Sequence, residues 1–316
     1  MTEESGPDSD VDTQTPCGEV RADTGGRLSP APATTTSVDG LATVRRRRDD
    51  VDPSRPTVVL VHGAMDRAAS FGRVMRRLPD LDVLALDRRG YAGSLDAGVA
   101  VTLEDHVDDL MRIIEHSGAA HVVVIGHSLG GTIALQLATR SDARVVGIGA
   151  FECPMPSLDG SYASIGGGAV DVGDRDGPAA AAEFFYRLMV GEGTWDHLRP
   201  RDRDARRAEG PALLAELVDL RRPEASFALD RVRLPVVLGV GATSRRDLRN
   251  TTTGLGAVLP DAWMIEIAGA GHGAHLSHAD DFARYVRACV ARAEFALELD
   301  RSPDTGHGSG DGGLVG

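Results

Sequence analysis

The stretch HVVVIGHSLGGTIALQLATR, residues 121–140, decides the fold. It places a run of apolar and β-branched residues, typical of a buried strand, directly before a G-x-S-x-G turn and a helix-forming segment. The glycines permit a sharp turn that leaves the side chain of Ser128 exposed at the helix N-terminus. Free N–H groups and the helix dipole at that end favour negative charge. We therefore predict a strand–turn–helix unit with Ser128 as a nucleophile.

Further apolar runs have the same character as residues 121–126. They are TVVLVHG (57–63), DVLALD (82–87), RVVGIGAF (144–151), PVVLGVG (235–241) and AWMIEIAG (262–269). Because the runs are continuous and not alternating, they indicate strands that are covered on both faces. Helical segments separate most of them, for example residues 102–118, which carry an apolar stripe and begin at a capping Thr102. This order predicts an α/β fold with a mostly parallel, doubly wound sheet.

Some regions depart from this alternation. Residues 1–38, an acidic arm, and residues 301–316 have little apolar content, and we predict that both are disordered. The interval from about 155 to 230 opens with a Gly-rich loop and continues with helical segments. We predict that it is a helical cap inserted into one domain, which spans residues 39–300.

Composition excludes several classes of protein. With 42% apolar residues in 316, the chain can fill a sizeable core, and its net charge of -13 argues against a nucleic-acid partner. We interpret the basic run RRRR (45–48) as a solvated face, because aspartates follow it directly.

No run approaches the roughly 18 apolar residues of a membrane helix, and the N-terminus does not resemble a signal peptide. We expect a cytoplasmic protein with no membrane partner. Three separated cysteines favour neither a disulfide framework nor a zinc site.

The sequence resembles the α/β-hydrolase fold superfamily over roughly residues 40–295. GHSLGG (126–131) matches the nucleophile turn of that family, and HGAMDRAASF (62–71) is similar to its His-Gly oxyanion loop. DRRGYAGS (87–94) resembles its D-x-R-G-x-G-x-S loop, with Ala92 in place of the usual glycine. AGAGHGAHLSHADDFARYV (268–286) resembles the loop that carries the catalytic histidine.

The resemblance implies a role for each of several residues. Ser128 would be the nucleophile and His272 the general base, while the backbone N–H groups of Ala64 and Leu129 would form the oxyanion hole. We choose His272 over the two later histidines of its loop because it directly follows the Gly-rich turn after the last strand. The H-x-x-H-x-x-H spacing also invites a metal hypothesis, but no clustered carboxylate accompanies it in the sequence. We expect neither a metal nor an organic cofactor.

The acid of the triad is not where the family usually carries it. After the strand VVLGVG the expected position holds Ser244. Some branches, haloalkane dehalogenases among them, place a glutamate after the preceding strand, and FECP (151–154) resembles that placement. We predict Glu152 as the acid, because a buried glutamate without a partner is costly. Asp247, a triad without an acid, and a purely structural Glu152 are the alternatives.

Together these features predict a serine hydrolase that cleaves a small-molecule ester or related carbonyl compound through an acyl-enzyme. A cofactor-free perhydrolase, a carbon–carbon hydrolase or a lyase on the same fold is the alternative, as is a non-catalytic ligand-binding protein. Candidates for the pocket wall are Phe184, Phe185, Tyr186 and Trp195, although their helical spacings are also typical of packing. Neither the substrate nor the oligomeric state follows from the sequence.

Overall fold

A single mixed sheet runs through the computed structural model, which describes residues 31–140, 142–155, 157–158, 161–222 and 227–301. The strands are β1 (Ala33–Val38), β2 (Leu41–Arg46), β3 (Thr57–Val61), β4 (Val83–Leu86), β5 (Val122–His127), β6 (Val145–Phe151), β7 (Val236–Gly241) and β8 (Ala262–Ile267). Within the described residues they lie in the order β1-β2-β4-β3-β5-β6-β7-β8. Strand β2 pairs antiparallel with both of its neighbours, and the remaining pairs are parallel. The predicted α/β class and mostly parallel sheet are confirmed.

Helices occupy most of the connections between the strands. They are α1 (Gly72–Met75), α2 (Leu103–Ser117), α3 (Leu129–Leu137), α4 (Ser161–Asp176), α5 (Pro178–Val190), α6 (Glu192–His197), α7 (Pro200–Ala208), α8 (Gly210–Asp219), α9 (Arg246–Val258), α10 (Ala274–Ser277) and α11 (Ala279–Arg301). As predicted, Thr102 caps α2, and Asp105 completes a reciprocal capping box. In the described part of the chain, no helix has the length and apolarity needed to cross a membrane.

Helices cover both faces of the central strands. Val59 and Val61 belong to the apolar core that includes α2 and α3, whereas Val58 and Leu60 belong to the core that includes α1 and α11. This double coverage explains why the strand sequences do not alternate. The prediction that each of these strands is covered on both faces is wrong for β8. That strand lies at the edge of the sheet and leaves Trp263 57% exposed.

The predicted disorder of residues 1–38 is wrong at its C-terminal end. Residues 33–38 form β1, which pairs with β2 across the turn at Asp39 and Gly40, both of which have positive φ. Threonine-rich ATTTSV has good strand propensity, and Asp-Gly is a strong hairpin signal. Low apolar content is compatible with this strand, because most of its side chains are exposed at the edge of the sheet. Residues 1–30 and 302–316 lie outside the described residues.

The helical insertion lies between β6 and β7, where α4 to α8 span residues 161–219. Its apolar residues, among them Trp195 and Leu213, form a core cluster with Met65 from the loop after β3 and Tyr91 from the loop after β4. The insertion therefore packs against loops at the carboxyl edge of the parallel strands.

Candidate active site

Ser128 occupies the turn between β5 and α3. Its backbone is strained, with φ 53° and ψ -128°, a conformation that costs a non-glycine residue about 1–3 kcal/mol. The flanking glycines are required by packing: a Cβ on Gly126 would overlap the carbonyl of Gly130, and a Cβ on Gly130 would overlap that of Val61. The turn thus leaves the Ser128 side chain half-buried on the wall of a cavity.

The amides predicted to form an oxyanion hole flank Ser128. Leu129 begins α3 directly after the serine. Ala64 follows Gly63, and a Cβ on Gly63 would lie only 2.7 Å from the Ser128 Cβ. Among the described residues, neither the Ala64 N–H nor the Leu129 N–H has a hydrogen-bond acceptor. Both amides are therefore free to donate to a bound oxyanion.

His272 and Glu152 meet as the sequence predicts. His272 lies between β8 and α10, and its Nδ1 is 2.7 Å from Oε2 of Glu152. Glu152 follows β6, is fully buried, and accepts the N–H of Gly241 on Oε1 at 2.6 Å. When Nδ1–H donates to this carboxylate, Nε2 of His272 carries the lone pair that a general base needs.

Asp247, the alternative acid, lies in the first turn of α9. Its carboxylate pairs with Arg245, with Nη2 of the arginine 2.9 Å from Oδ2. The structure therefore brings Glu152, and not Asp247, into contact with His272.

Two histidines whose contacts the sequence did not predict, His127 and His275, support the His272 loop. The buried His127 lies with Nε2 2.7 Å from the backbone oxygen of His272, and His275 Nε2 is 3.1 Å from Oδ2 of Asp66. Burial, followed by the neighbouring His275 and His272, lowers the pKa of His127 well below its ordinary value. His127 is therefore neutral, and its Nε2–H donates to the His272 carbonyl.

The expectation that no clustered carboxylate accompanies the H-x-x-H-x-x-H spacing is wrong for one of its histidines, because Asp66 lies beside His275. Its potential ligand atom and those of His127 and His275 lie within 4.8 Å of one another. Burial alone would raise the pKa of Asp66, but the hydrogen bond and charge of His275 lower it below its ordinary value. Asp66 and His275 bond to each other, whereas the Nδ1 atoms of His127 and His275 are buried without a hydrogen-bond partner among the described residues.

A cavity of about 340 Å³ opens at Ser128 and His272. Its wall is mainly apolar and includes residues from α5, α9 and α10 together with the loop after β3. Of the aromatic candidates, Phe185 and Tyr186 line the cavity, whereas Trp195 is buried within the insertion and Phe184 is 38% exposed at the surface.

Comparison with known proteins extends these observations. Residues 58–285 match the family described as the alpha/beta hydrolase family. The chain is 30% identical over 264 residues to pimeloyl-[acyl-carrier protein] methyl ester esterase of Aromatoleum aromaticum, covering 75% of this chain and 99% of that protein. It is 33% identical to Lipase LipV of Mycobacterium tuberculosis over 110 residues, which are 34% of this chain and 41% of the lipase. The solved structure of MenH from S. aureus matches with a TM-score of 0.63 at 15% identity, covering 80% of this chain and 98% of that one.

Proposed function

Because the chain belongs to the alpha/beta hydrolase family, we propose that it is a serine hydrolase that cleaves a small-molecule carboxylic ester through an acyl-enzyme. The observation that carries this proposal is the 2.7 Å contact between His272 and the buried Glu152, at the cavity that Ser128 lines. Relatives named as a lipase and an esterase support hydrolysis as the reaction.

Acylation uses the serine and the histidine together. Nε2 of His272 takes the proton of Ser128 Oγ as the oxygen attacks the ester carbonyl. The negative charge moves to the carbonyl oxygen, where the N–H groups of Ala64 and Leu129 stabilise it. Glu152 stabilises the imidazolium that forms on His272. Collapse of the intermediate breaks the bond to the leaving alcohol, whose oxygen receives the proton from His272.

Deacylation repeats these steps with water. His272 removes a proton from a water molecule as its oxygen attacks the acyl carbon, and the same amides hold the second oxyanion. Breakage of the Ser128 ester bond returns the proton to Oγ and releases the carboxylic acid.

The cavity supports an uncharged, apolar ester as the substrate type. Both arginines on the described wall are already paired: Arg245 with Asp247 at 2.9 Å, and Arg206 with Glu209 at 3.2 Å. A substrate carboxylate would lose its hydration here without gaining an unpaired cation, which is costly. We expect esters of short or medium apolar acids to be hydrolysed faster than esters that carry a carboxylate.

A fluorophosphonate probe tests the proposal. Attack of Ser128 Oγ on phosphorus forms an O–P bond and releases fluoride, so peptide mass spectrometry should find the label on Ser128. Ser128→Ala should abolish labelling and reduce hydrolysis of p-nitrophenyl butyrate by at least a thousandfold, with a nearly unchanged melting temperature. Ser277→Ala, an exposed serine of α10, is the control.

Other outcomes separate the alternatives. Labelling of Ser128 without ester turnover would direct the search to a perhydrolase, a carbon–carbon hydrolase or a lyase. Turnover within a few-fold of wild type in Ser128→Ala would refute the nucleophile. A folded protein that neither labels nor hydrolyses esters would favour a ligand-binding role.

A further inference from the structure

A buried charged cluster lies behind the oxyanion loop, and the mechanism above does not use it. We define the Arg88 cluster as Arg88, Tyr91, His106 and Glu216. The side chains of Arg88, His106 and Glu216 are each 2% exposed, and Tyr91 is fully buried. Arg88 lies in the loop after β4, and Glu216 lies in α8 of the insertion. Since a buried ion pair adds little net stability, its contacts are the better guide to what it does.

Arg88 holds two backbone carbonyls of the oxyanion loop. Its Nε donates to the oxygen of His62 at 2.9 Å, and Nη2 donates to the oxygen of Gly63 at 3.0 Å. The Arg88 backbone N–H donates to Nε2 of His62 at 2.9 Å, which places the ring proton on Nδ1. That Nδ1–H donates to the Gly63 oxygen at 2.7 Å. Two side-chain donors therefore fix the Gly63 carbonyl.

The His62 ring stays neutral in this arrangement. Its complete burial, together with the charge of Arg88, lowers the pKa of His62 to about 3. The acceptor on Nε2 and the donor on Nδ1 are therefore both present throughout the neutral pH range.

Fixing the Gly63 carbonyl also orients the N–H of Ala64. In a planar trans peptide, the C=O of one residue and the N–H of the next point in opposite directions. Because the Gly63 oxygen is directed to Arg88, the Ala64 N–H points away from Arg88, and Ala64 lines the cavity with Ser128. Without these donors the Gly63 oxygen would keep only the longer hydrogen bond from the Asp66 N–H, at 3.4 Å, among the described residues.

We infer that Arg88 is a positioning residue for the oxyanion hole and that Glu216, from the insertion, sets the position of Arg88. The inference rests on the proposed function, because it assigns the Ala64 N–H to the tetrahedral intermediate. Glu216 accepts hydrogen bonds from Arg88 and, at 2.7 Å, from Tyr91. Through this carboxylate, the insertion that walls the cavity is joined to Arg88, which holds the oxyanion loop. The insertion also bonds that loop directly, since Glu209 pairs with Arg67 at 2.9 Å and Arg206 donates to the Met65 carbonyl at 2.7 Å.

The test compares two adjacent arginines. Arg88→Lys keeps the charge but cannot span both carbonyls and Glu216, whereas Arg89→Lys alters an arginine that instead binds Asp109 and the Ala97 carbonyl. We would measure kcat and KM for p-nitrophenyl butyrate and the Ki of an alkyl trifluoromethyl ketone. Addition of Ser128 Oγ to the ketone carbonyl, with its proton passing to His272, gives a tetrahedral oxyanion that reports directly on the hole.

In Arg88→Lys we expect kcat to fall about 100-fold, the size of losing one oxyanion donor, with KM within about threefold of wild type. The Ki of the ketone should rise by a similar factor. Arg89→Lys should leave all three quantities within about threefold. A folded Arg88→Lys protein with kcat within fivefold of wild type, or with an unchanged Ki, would overturn the inference, since a merely structural arginine would not weaken oxyanion binding selectively.

Glu216→Gln keeps the inference testable if Arg88→Lys does not fold. It preserves shape but removes the charge that anchors Arg88, and we expect kcat to fall about tenfold with a matching rise in Ki. An unchanged Ki in this variant would again overturn the inference. Phosphonate labelling of wild-type Ser128, run in parallel, separates the two proposals: absence of label defeats the proposed function, whereas normal labelling with unaffected Ki values defeats only the role of Arg88.

Discussion

Glu152→Gln isolates the charge of the proposed triad acid while keeping its size. In the wild type, Oε1 accepts the Gly241 N–H at 2.6 Å and Oε2 lies 2.7 Å from His272 Nδ1. A glutamine has only one oxygen. If that oxygen stays on the Gly241 N–H, the NH₂ group faces Nδ1 and drives the His272 proton to Nε2, where the ring can no longer accept the Ser128 proton. In the opposite orientation the glutamine NH₂ group faces the Gly241 N–H, so two donors meet and neither has an acceptor.

The size of the effect follows from this geometry. Taking about 4 Å between the centres of charge and an effective dielectric constant of about 20, the carboxylate stabilises the imidazolium by about 4 kcal/mol. That energy corresponds to a loss of about a thousandfold in kcat. The wrong tautomer adds to the loss, and in comparable triads the sum reaches about ten-thousandfold.

The assay is kcat for p-nitrophenyl butyrate near pH 8, with the melting temperature measured on the same samples. Asp247→Asn is the matched control, and its kcat on this uncharged ester should stay within about fivefold of wild type. Adding Ser244→Asp to Glu152→Gln should restore part of the activity, since it places a carboxylate at the position where the resemblance to the family leads us to expect the acid. A folded Glu152→Gln protein within tenfold of wild type, or a crippled Asp247→Asn protein, would refute the assignment.

Asp247→Asn leaves Arg245 without its carboxylate partner in the cavity wall. The ratio of the hydrolysis rate of p-nitrophenyl hemisuccinate to that of p-nitrophenyl butyrate should therefore rise about tenfold. An unchanged ratio would show that Arg245 does not reach the substrate. Burial alone would raise the pKa of Glu216, but Arg88 and His106 lower it from 4.5 to about 2. The stabilising contribution of Glu216 is therefore complete above pH 4.5 and disappears as the pH falls through about 2. The free energy of unfolding should decrease more steeply between pH 5 and 2 in the wild type than in Glu216→Gln. Parallel curves of unfolding free energy against pH would contradict this. Deletion of residues 1–39 removes β1 and exposes the edge of β2, which should lower the melting temperature or promote self-association in light scattering, compared with deletion of residues 1–30 as the control. Identical behaviour of the two deletions would show that β1 contributes nothing.

The sequence by itself determined the features that depend on neighbouring residues. The glycines around Ser128 specify a strand–turn–helix unit within six residues, and the continuous apolar runs specify strands covered on both faces. Thr102 and Asp105 specify the start of α2 in the same local way. The sequence also indicated Glu152, because a carboxylate at the end of an apolar strand calls for a partner; its catalytic role stays a prediction.

Only the tertiary structure decided between Glu152 and Asp247 as the partner of His272, which is 120 residues from Glu152. It alone brought together Arg88 and Glu216, 128 residues apart, and Asp66 and His275, 209 residues apart. Hydrophobic periodicity and turn residues describe one segment at a time, so they contain no information about such pairs. For the same reason β1 was not predicted: an exposed edge strand is stabilised by hydrogen bonds to its neighbour and requires few apolar residues of its own. Local sequence thus specifies the helices and strands. The charged contacts of the site form only when folding brings the loops at the ends of the strands and the insertion together.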